Sequence, residues 1–274
     1  MAEILKLDNS PLAYVLEYAV RLILCGKVVV IPTDTFYGLG ADPFNLAAVS
    51  EIFRIKRRTA DRPLPLLVDS IEQAVDLANR PPELFFKLAR QFWPGPLTLV
   101  VPASRQIPLK VTANTGKVGL RWPQAPFVSA LIAAAGRPLT GTSANLSDMS
   151  ACSTADEVDC QLGDAVPLIL DGGLTRGMLA STVVELEGEG GRIVRPGAIS
   201  DEPSWCDYLV MQYGIEGPSR PKAWSIGRIT LAKIPGICYT DLELIGVIDR
   251  VGVTPTLFSL AWFARPRFVA AHEY

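Results

Sequence analysis

The side chains best suited to chemistry fall in a few short segments. Lys56, Arg57 and Arg58 form a basic run, with Arg54 and Arg62 close by. Lysine and arginine bind phosphate, arginine through a planar fork of N–H donors. A helix C-terminus also favours cations, so a solvated basic face accounts for such a run as well. Arg62-Pro63-Leu64 leads straight back into an apolar stretch, which would hold these cations at a sheet edge. A second segment, PTDTFYGLG at 32–40, offers two threonine hydroxyls, and glycines that let a ligand approach the backbone. A third, TGTSAN at 140–145, crowds hydroxyl and amide groups into one loop. That loop reads either as an Asx or Ser/Thr turn or as a cradle of neutral donors for phosphate or carboxylate oxygens. Asp171-Gly172-Gly173, STVV at 181–184 and Arg195-Pro196-Gly197 are weaker signals taken singly.

Other chemistries are absent from the pattern. There is no GxxxxGK[ST] phosphate loop, and no GxGxxG follows a strand. The one histidine, His272, lies at the end of the chain, so a Ser/His/Asp triad within the main unit is excluded. Cys25, Cys152, Cys160, Cys206 and Cys238 form no CxxC pair and are odd in number. Reduced thiols in a cytoplasmic protein follow, with neither a zinc site nor a disulfide framework. The first residues carry acids and no long apolar stretch, unlike a secretory signal. No apolar run reaches the ~20 residues of a membrane helix, so the chain is expected to be soluble and off the membrane.

These segments need elements to hold them. Ser10 and Pro11 read as the N-cap and first turn of a helix carrying Leu12, Val15, Leu16, Ala19, Val20 and Ile23, stopped by Gly26. Residues 27–31 (KVVVI) read as a buried strand feeding the loop at 32–40, a usual place for ligand sites in α/β proteins. Asn45 caps the next helix, which ends in the basic run. Strands are predicted at 64–68, 97–101, 118–121, 168–170, 181–186 and 192–195. Helices are predicted at 71–78, from Pro82 to before Trp93, at 127–135 and at 203–213. The alternation predicts an α/β fold with a mixed, twisted β-sheet flanked by helices.

The 274 residues, 49% hydrophobic, suffice for one large core plus an appendage. The net charge of −2 advertises no global field for nucleic acid. Residues 218–274 differ, with seven Lys/Arg against four Asp/Glu, and hold no chemical motif. The expected division is a catalytic domain at 10–217 and a small C-terminal appendage at 218–274 of unassigned role.

Taken in order, the motifs resemble the YrdC-like threonylcarbamoyl-AMP synthases. The resemblance spans about residues 10–215. It rests on PTDTFYGLG, the KxR element Lys56/Arg58, FWPGPLTLV at 92–100, VGLRWP at 118–123, the SxN element Ser143/Asn145, LDGG at 170–173, STVV and RPG. It implies the YrdC-like fold and a nucleotidyltransferase. In this reaction L-threonine and bicarbonate give an N-carboxy-threonine, which attacks the α-phosphorus of ATP and releases pyrophosphate. The product feeds threonylcarbamoyladenosine modification of tRNA through a downstream transferase complex. No protein nucleophile is needed, because cations and donors need only align reactants and offset charge. Mg²⁺ is expected to be carried with ATP rather than in a protein metal site.

By position, the resemblance places Lys56 and Arg58 as catalytic residues at the phosphates. Arg58, Arg62, Lys117, Arg121, Ser143, Asn145, Ser153 and Arg195 fall to ATP, and Thr35 and Ser181 to threonine. Arg62 stands where relatives commonly have asparagine, and Leu67 where some have a histidine that contacts threonine. Lys117 stands where a threonine is common. The competing readings are an RNA-binding protein of the same fold and a paralogue using another acyl group. The tail's net charge of +3 allows a weak tRNA contact, which scattered surface cations explain equally well.

Overall fold

The computed structural model describes residues 2–59, 61–175, 179–188, 190–199 and 213–216. The chain begins with β1 (Glu3–Lys6), α1 (Leu12–Leu24), β2 (Val29–Ile31), β3 (Gly38–Gly40) and α2 (Leu46–Lys56). Next come β4 (Leu66–Leu67), α3 (Ile71–Leu77), α4 (Glu83–Phe92), β5 (Leu97–Pro102) and β6 (Lys117–Arg121). Then follow α5 (Pro126–Ala135), β7 (Leu139–Thr140), β8 (Thr142–Ser143), α6 (Ala155–Leu162) and β9 (Leu168–Asp171). β10 (Thr182–Glu187), β11 (Gly190–Arg195) and β12 (Ile215–Glu216) complete the described elements.

The mixed α/β expectation holds, but the strands form two sheets rather than one. The first has the order β1-β9-β2-β3-β8, and the second β12-β11-β10-β5-β6-β4-β7. Both mix parallel and antiparallel pairs; β2 lies parallel to β9 and antiparallel to β3. The strand β2 explains the KVVVI run. Val30 faces one apolar cluster, with Leu39, Ile52 and Phe53. Val29 and Ile31 face the other, with α1 and α5 residues Val15, Ala19, Val128 and Leu131. A strand buried on both faces reads as continuously apolar.

Several boundaries differ from expectation for local reasons. Pro11, not Ser10, occupies the N-cap of α1, with no side-chain cap bond. Its carbonyl takes the first helical bond from Val15 N at 3.1 Å. Gly26 follows the helix at φ +76°, the left-handed turn that stops it. Asn45 caps α2 as expected, its side chain accepting from Ala47 N and Ala48 N. The segment 32–40 is not loop throughout, since Gly38–Gly40 pairs with Val29–Ile31. Strand β1 and helix α6 carried too little periodicity to be read from the sequence. The predicted helix at 203–213 lies outside the described residues except for Tyr213. The chain divides into two units, Met1–Ala223 and Trp224–Tyr274, the second wholly outside the described residues.

Candidate active site

The basic run is turned by its own backbone. Helix α2 ends at Lys56, and Arg57 takes the left-handed conformation at φ 50°. That reversal points Lys56 inward and returns Arg58 toward Pro63. Lys56 is only 2% exposed. Its Nζ donates to Ser143 O at 2.5 Å, Asn145 O at 2.8 Å and Asn145 Oδ1 at 3.1 Å. Three N–H donors thus meet three acceptors, and the lysine holds the SxN loop as a tripod. Ser143 Oγ also donates to Asn145 Oδ1 at 2.6 Å, and Asn145 Nδ2 donates to Met149 O at 2.6 Å. Burial first, then the charge of Arg58, pushes the Lys56 pKa down to about 8.

Arg58 donates from Nη2 to Pro63 O at 3.0 Å and from Nη1 to Thr142 Oγ1 at 3.4 Å. Its Nε is buried and has no acceptor. Burial, then the neighbouring charge of Arg62, pushes the Arg58 pKa below its ordinary value. Arg62 itself is exposed at the rim.

A second cluster forms at the end of β6. Arg121 donates from Nε to Gly95 O at 3.1 Å, from Nη1 to Thr35 Oγ1 at 3.1 Å, and from Nη2 to Asp34 Oδ1 at 2.5 Å. Thr33 shapes this loop, its Oγ1 donating to Phe36 O at 2.6 Å and accepting from Thr35 N at 3.2 Å. Arg195, at the end of β11, donates from Nη2 to Ser181 O at 2.8 Å and to Ser181 Oγ at 3.1 Å. Ser181 Oγ also bonds Thr98 Oγ1 at 2.8 Å. Arg195 is exposed as a whole residue, yet desolvation of its head group, then the charge of nearby Arg121, lowers its pKa. Gly197 lies so close to the Ala180–Ser181 backbone that a Cβ there would overlap it.

Strand pairing joins the clusters. Gly38, at the end of the PTDTFYG segment, pairs with Ser143. Lys56, Arg58, Ser143 and Asn145 therefore form one wall, and Thr35, Arg121, Ser181 and Arg195 the other. Ser153 is not joined to either wall by a hydrogen bond among the described residues; its N–H donates to Glu157 Oε2 at 2.6 Å and its carbonyl accepts from Thr175 N at 2.9 Å. Lys117 is not brought here. It opens β6, ~13 Å along the strand from Arg121, and its Nζ pairs with Glu185 and Glu187 at 2.5 and 2.8 Å. Leu67 is buried in the α1–α5 apolar cluster.

Some participants had no role assigned from sequence. Asp34 lies within the motif, and only the fold shows its carboxylate on Arg121. The Gly95 carbonyl and the Thr98 hydroxyl come from the WPGPLT stretch. Tyr37 fastens the Asp171-Gly172-Gly173 turn by donating to Gly173 O at 2.6 Å and accepting from Gly172 N at 3.2 Å. A tyrosine six residues after the end of a buried strand, in a glycine-rich segment, was the available signal.

The arrangement gathers cations and neutral hydrogen-bonding groups from separate elements. It can hold an anion and align reactants. Comparison with known proteins bears on the family. The Sua5/YciO/YrdC family model, described as telomere recombination, matches residues 21–197. A threonylcarbamoyl-AMP synthase of Pyrococcus abyssi is 39% identical over 184 residues, covering 67% of this chain and 54% of that protein. This chain thus spans about half the length of that relative. A threonylcarbamoyl-AMP synthase of Vibrio vulnificus is 38% identical over 162 residues, covering 57% of this chain and 86% of that protein. The crystal structure of P. abyssi Sua5 complexed with L-threonine superposes with a TM-score of 0.73 at 33% identity, covering 87% of this chain and 68% of that one.

Proposed function

The chain belongs to the Sua5/YciO/YrdC family, and we propose that it makes threonylcarbamoyl-AMP and pyrophosphate from L-threonine, bicarbonate and ATP. The observation that carries the proposal is Arg58. A buried guanidinium N–H without an acceptor costs free energy, and a phosphate oxygen would supply the missing partner. Arg58 Nε lies beside a rigid loop of neutral donors and close to Arg62, which suits a polyanion such as a nucleoside triphosphate.

In this reading Arg58, Arg62, Ser143, Asn145, Ser153 and Arg195 serve ATP. Lys56 serves it indirectly, by fixing the loop that carries Ser143 and Asn145. Thr35, Arg121 and Ser181 serve the amino acid, whose carboxylate would share Arg121 with Asp34. The carboxylate of N-carboxy-threonine attacks the α-phosphorus, the bond to the bridging oxygen breaks, and pyrophosphate leaves with that electron pair. Both nucleophile and leaving group belong to substrates, so the protein's work is alignment and charge stabilisation.

Mg²⁺ supplies charge neutralisation on the phosphates when it arrives with ATP. The Asp34 carboxylate is paired with Arg121 at 2.5 Å. Among the described residues, acidic, cysteine and histidine side chains do not gather into a metal-binding group. The product would pass to a threonylcarbamoyl transferase complex acting on tRNA in the cytoplasm. No helix among the described residues is long and apolar enough to cross a membrane.

The test is pyrophosphate release from purified protein with ATP and Mg²⁺. Release that requires both threonine and bicarbonate, and falls sharply in Arg58→Ala, is the expected result. Release without threonine, or none with all substrates present, refutes the proposal.

A further inference from the structure

Gly141 is the point where the chain leaves one sheet for the other. It lies between β7, an edge of the second sheet, and β8, an edge of the first. Its N–H donates to Pro65 O at 2.8 Å, tying the crossing point to the segment before β4. A Cβ added at Gly141 would lie 2.6 Å from both Cγ and Cδ2 of Leu67. The Leu67 side chain therefore presses directly on the Gly141 backbone. Across the sheet, Leu67 is the register partner of Arg121 in the parallel β4–β6 pair. Paired residues project to the same face of a sheet, so Leu67 stands beside the Arg121 side chain. Behind it, Val128, Leu131 and Leu139 fill the apolar cluster, and Leu67 is 2% exposed.

One side chain thus separates the two walls of the site. On one side stands Arg121, carrying Asp34 and Thr35. On the other is the Gly141 crossing, two residues before Ser143. We propose that Leu67 is a positioning residue whose bulk sets the spacing between Arg121 and the Ser143–Asn145 loop, and so between the two bound substrates. The inference rests on the proposed assignment of the amino acid to Arg121 and of the nucleotide to the loop.

The physical case is one of packing. Interiors are close-packed and move in discrete steps rather than deforming smoothly. The loop is also held from its far side by Lys56, so a vacancy at Leu67 tilts it about that anchor rather than freeing it. Each substrate would still meet its own wall, while the reacting carboxylate and α-phosphorus lose alignment. The effect belongs to turnover more than to either binding constant.

The test compares Leu67→Met, Leu67→Ala, Gly141→Ala and the double variant Leu67→Ala/Gly141→Ala in threonine-dependent pyrophosphate release. Leu67→Met, which keeps volume, should behave like the wild type. Leu67→Ala should lower kcat by roughly 30-fold, since misplacement of about 1 Å can cost 100-fold, with little change in the KM for ATP or threonine. Gly141→Ala should lower kcat similarly. The double variant should recover part of the loss, because the new methyl enters the space that Leu67 vacates. If Leu67→Ala does not fold, Leu67→Val takes its place with the same expectations. Unchanged kcat in the truncated variant, or a double variant no better than Gly141→Ala, overturns the inference. A wild type that releases no pyrophosphate would instead sink the proposed function. The spacing is then read by NMR in the absence of substrate. The Arg121 Nε–H and the Ser143 and Asn145 amide resonances should shift together in Leu67→Ala but not in Leu67→Met. Resonances that stay in place in Leu67→Ala overturn the inference independently.

Discussion

Replacing Lys56 separates a charge on phosphate from a tripod on a loop. Lys56→Met keeps the aliphatic stem and removes the ammonium. Three hydrogen bonds are lost, to Ser143 O, Asn145 O and Asn145 Oδ1. At about 1.5–3 kcal/mol for each bond from a charged donor, the gross loss is about 5–9 kcal/mol. Against it stands the cost of burying an ammonium whose pKa falls from 10.5 to about 8, about 3 kcal/mol. Water can reach Ser143, which is part-exposed, so a net destabilisation near the lower end follows, about 2 kcal/mol, or a fall in Tm of roughly 4–8 °C. The functional loss should be larger, because a loop displaced by about 1 Å can cost 100-fold in rate. Lys56→Arg is the discriminating variant. It keeps the positive charge, but a planar fork cannot meet three acceptors arranged around one nitrogen. Nucleotide affinity by calorimetry, and pyrophosphate release at saturating threonine and bicarbonate, should therefore drop in Lys56→Arg about as far as in Lys56→Met. Near-wild-type affinity in Lys56→Arg would show that charge alone matters and would refute the tripod.

Other outcomes follow from the same geometry. Between pH 8 and 10.5 the folded protein has released the Lys56 proton while the unfolded chain keeps it, so unfolding takes up a proton and this group's contribution to stability rises with pH. Denaturant unfolding of the wild type relative to Lys56→Met should show that rise, and a flat difference would contradict the burial argument. Tyr37→Phe removes the clasp on Gly172 and Gly173 and should cost about 1–3 kcal/mol, read as a lower Tm with the KM for ATP little changed. Ser143→Ala and Asn145→Ala should weaken ATP binding more than they lower Tm. The reverse order would mean that these side chains only shape the turn.

The elements that could be read from sequence were those whose signal is local. Asn45 stands three residues before the apolar periodicity of α2 is established, and its Oδ1 accepts from two backbone amides. The division into two sheets was hidden for the opposite reason. Strands β7 and β8, an edge of the second sheet and of the first, are two residues long, too short for any alternation to register, and β4 keeps only Leu66–Leu67 of the strand expected at 64–68. They exist because neighbouring strands pair with them, β3 with β8 and β4 with β7. The site divides the same way. Residue types and order marked Lys56, Arg58, Arg121, Ser143 and Asn145. The acceptors of Lys56 include two backbone carbonyls 87 and 89 residues away, which no side-chain pattern encodes. Lys117 matched a position in the resemblance, yet its partner Glu185 lies 68 residues on, and that pairing decides where its charge goes.

The cations of the cleft differ in how much of their charge is already committed, and this orders their roles. Arg121 is met by a carboxylate, a carbonyl and a hydroxyl, and Lys56 by three neutral oxygens. Both are spent largely on structure. Arg58 has two neutral oxygens, a carbonyl and a hydroxyl, and one bare N–H, and Arg195, near Arg121, has Ser181 oxygens against it among the described residues. Partly shielded guanidiniums that no carboxylate contacts directly among the described residues raise the local potential and favour an incoming anion. Negative charge should therefore be drawn first to Arg58 and Arg195. The amino acid would follow at Arg121, where its carboxylate must compete with Asp34. If so, Asp34→Asn lowers the KM for threonine while leaving that for ATP in place, provided Arg121 keeps its bonds to Gly95 and Thr35. A raised KM for threonine would instead mean that Asp34 orients Arg121, and the proposed competition would be wrong.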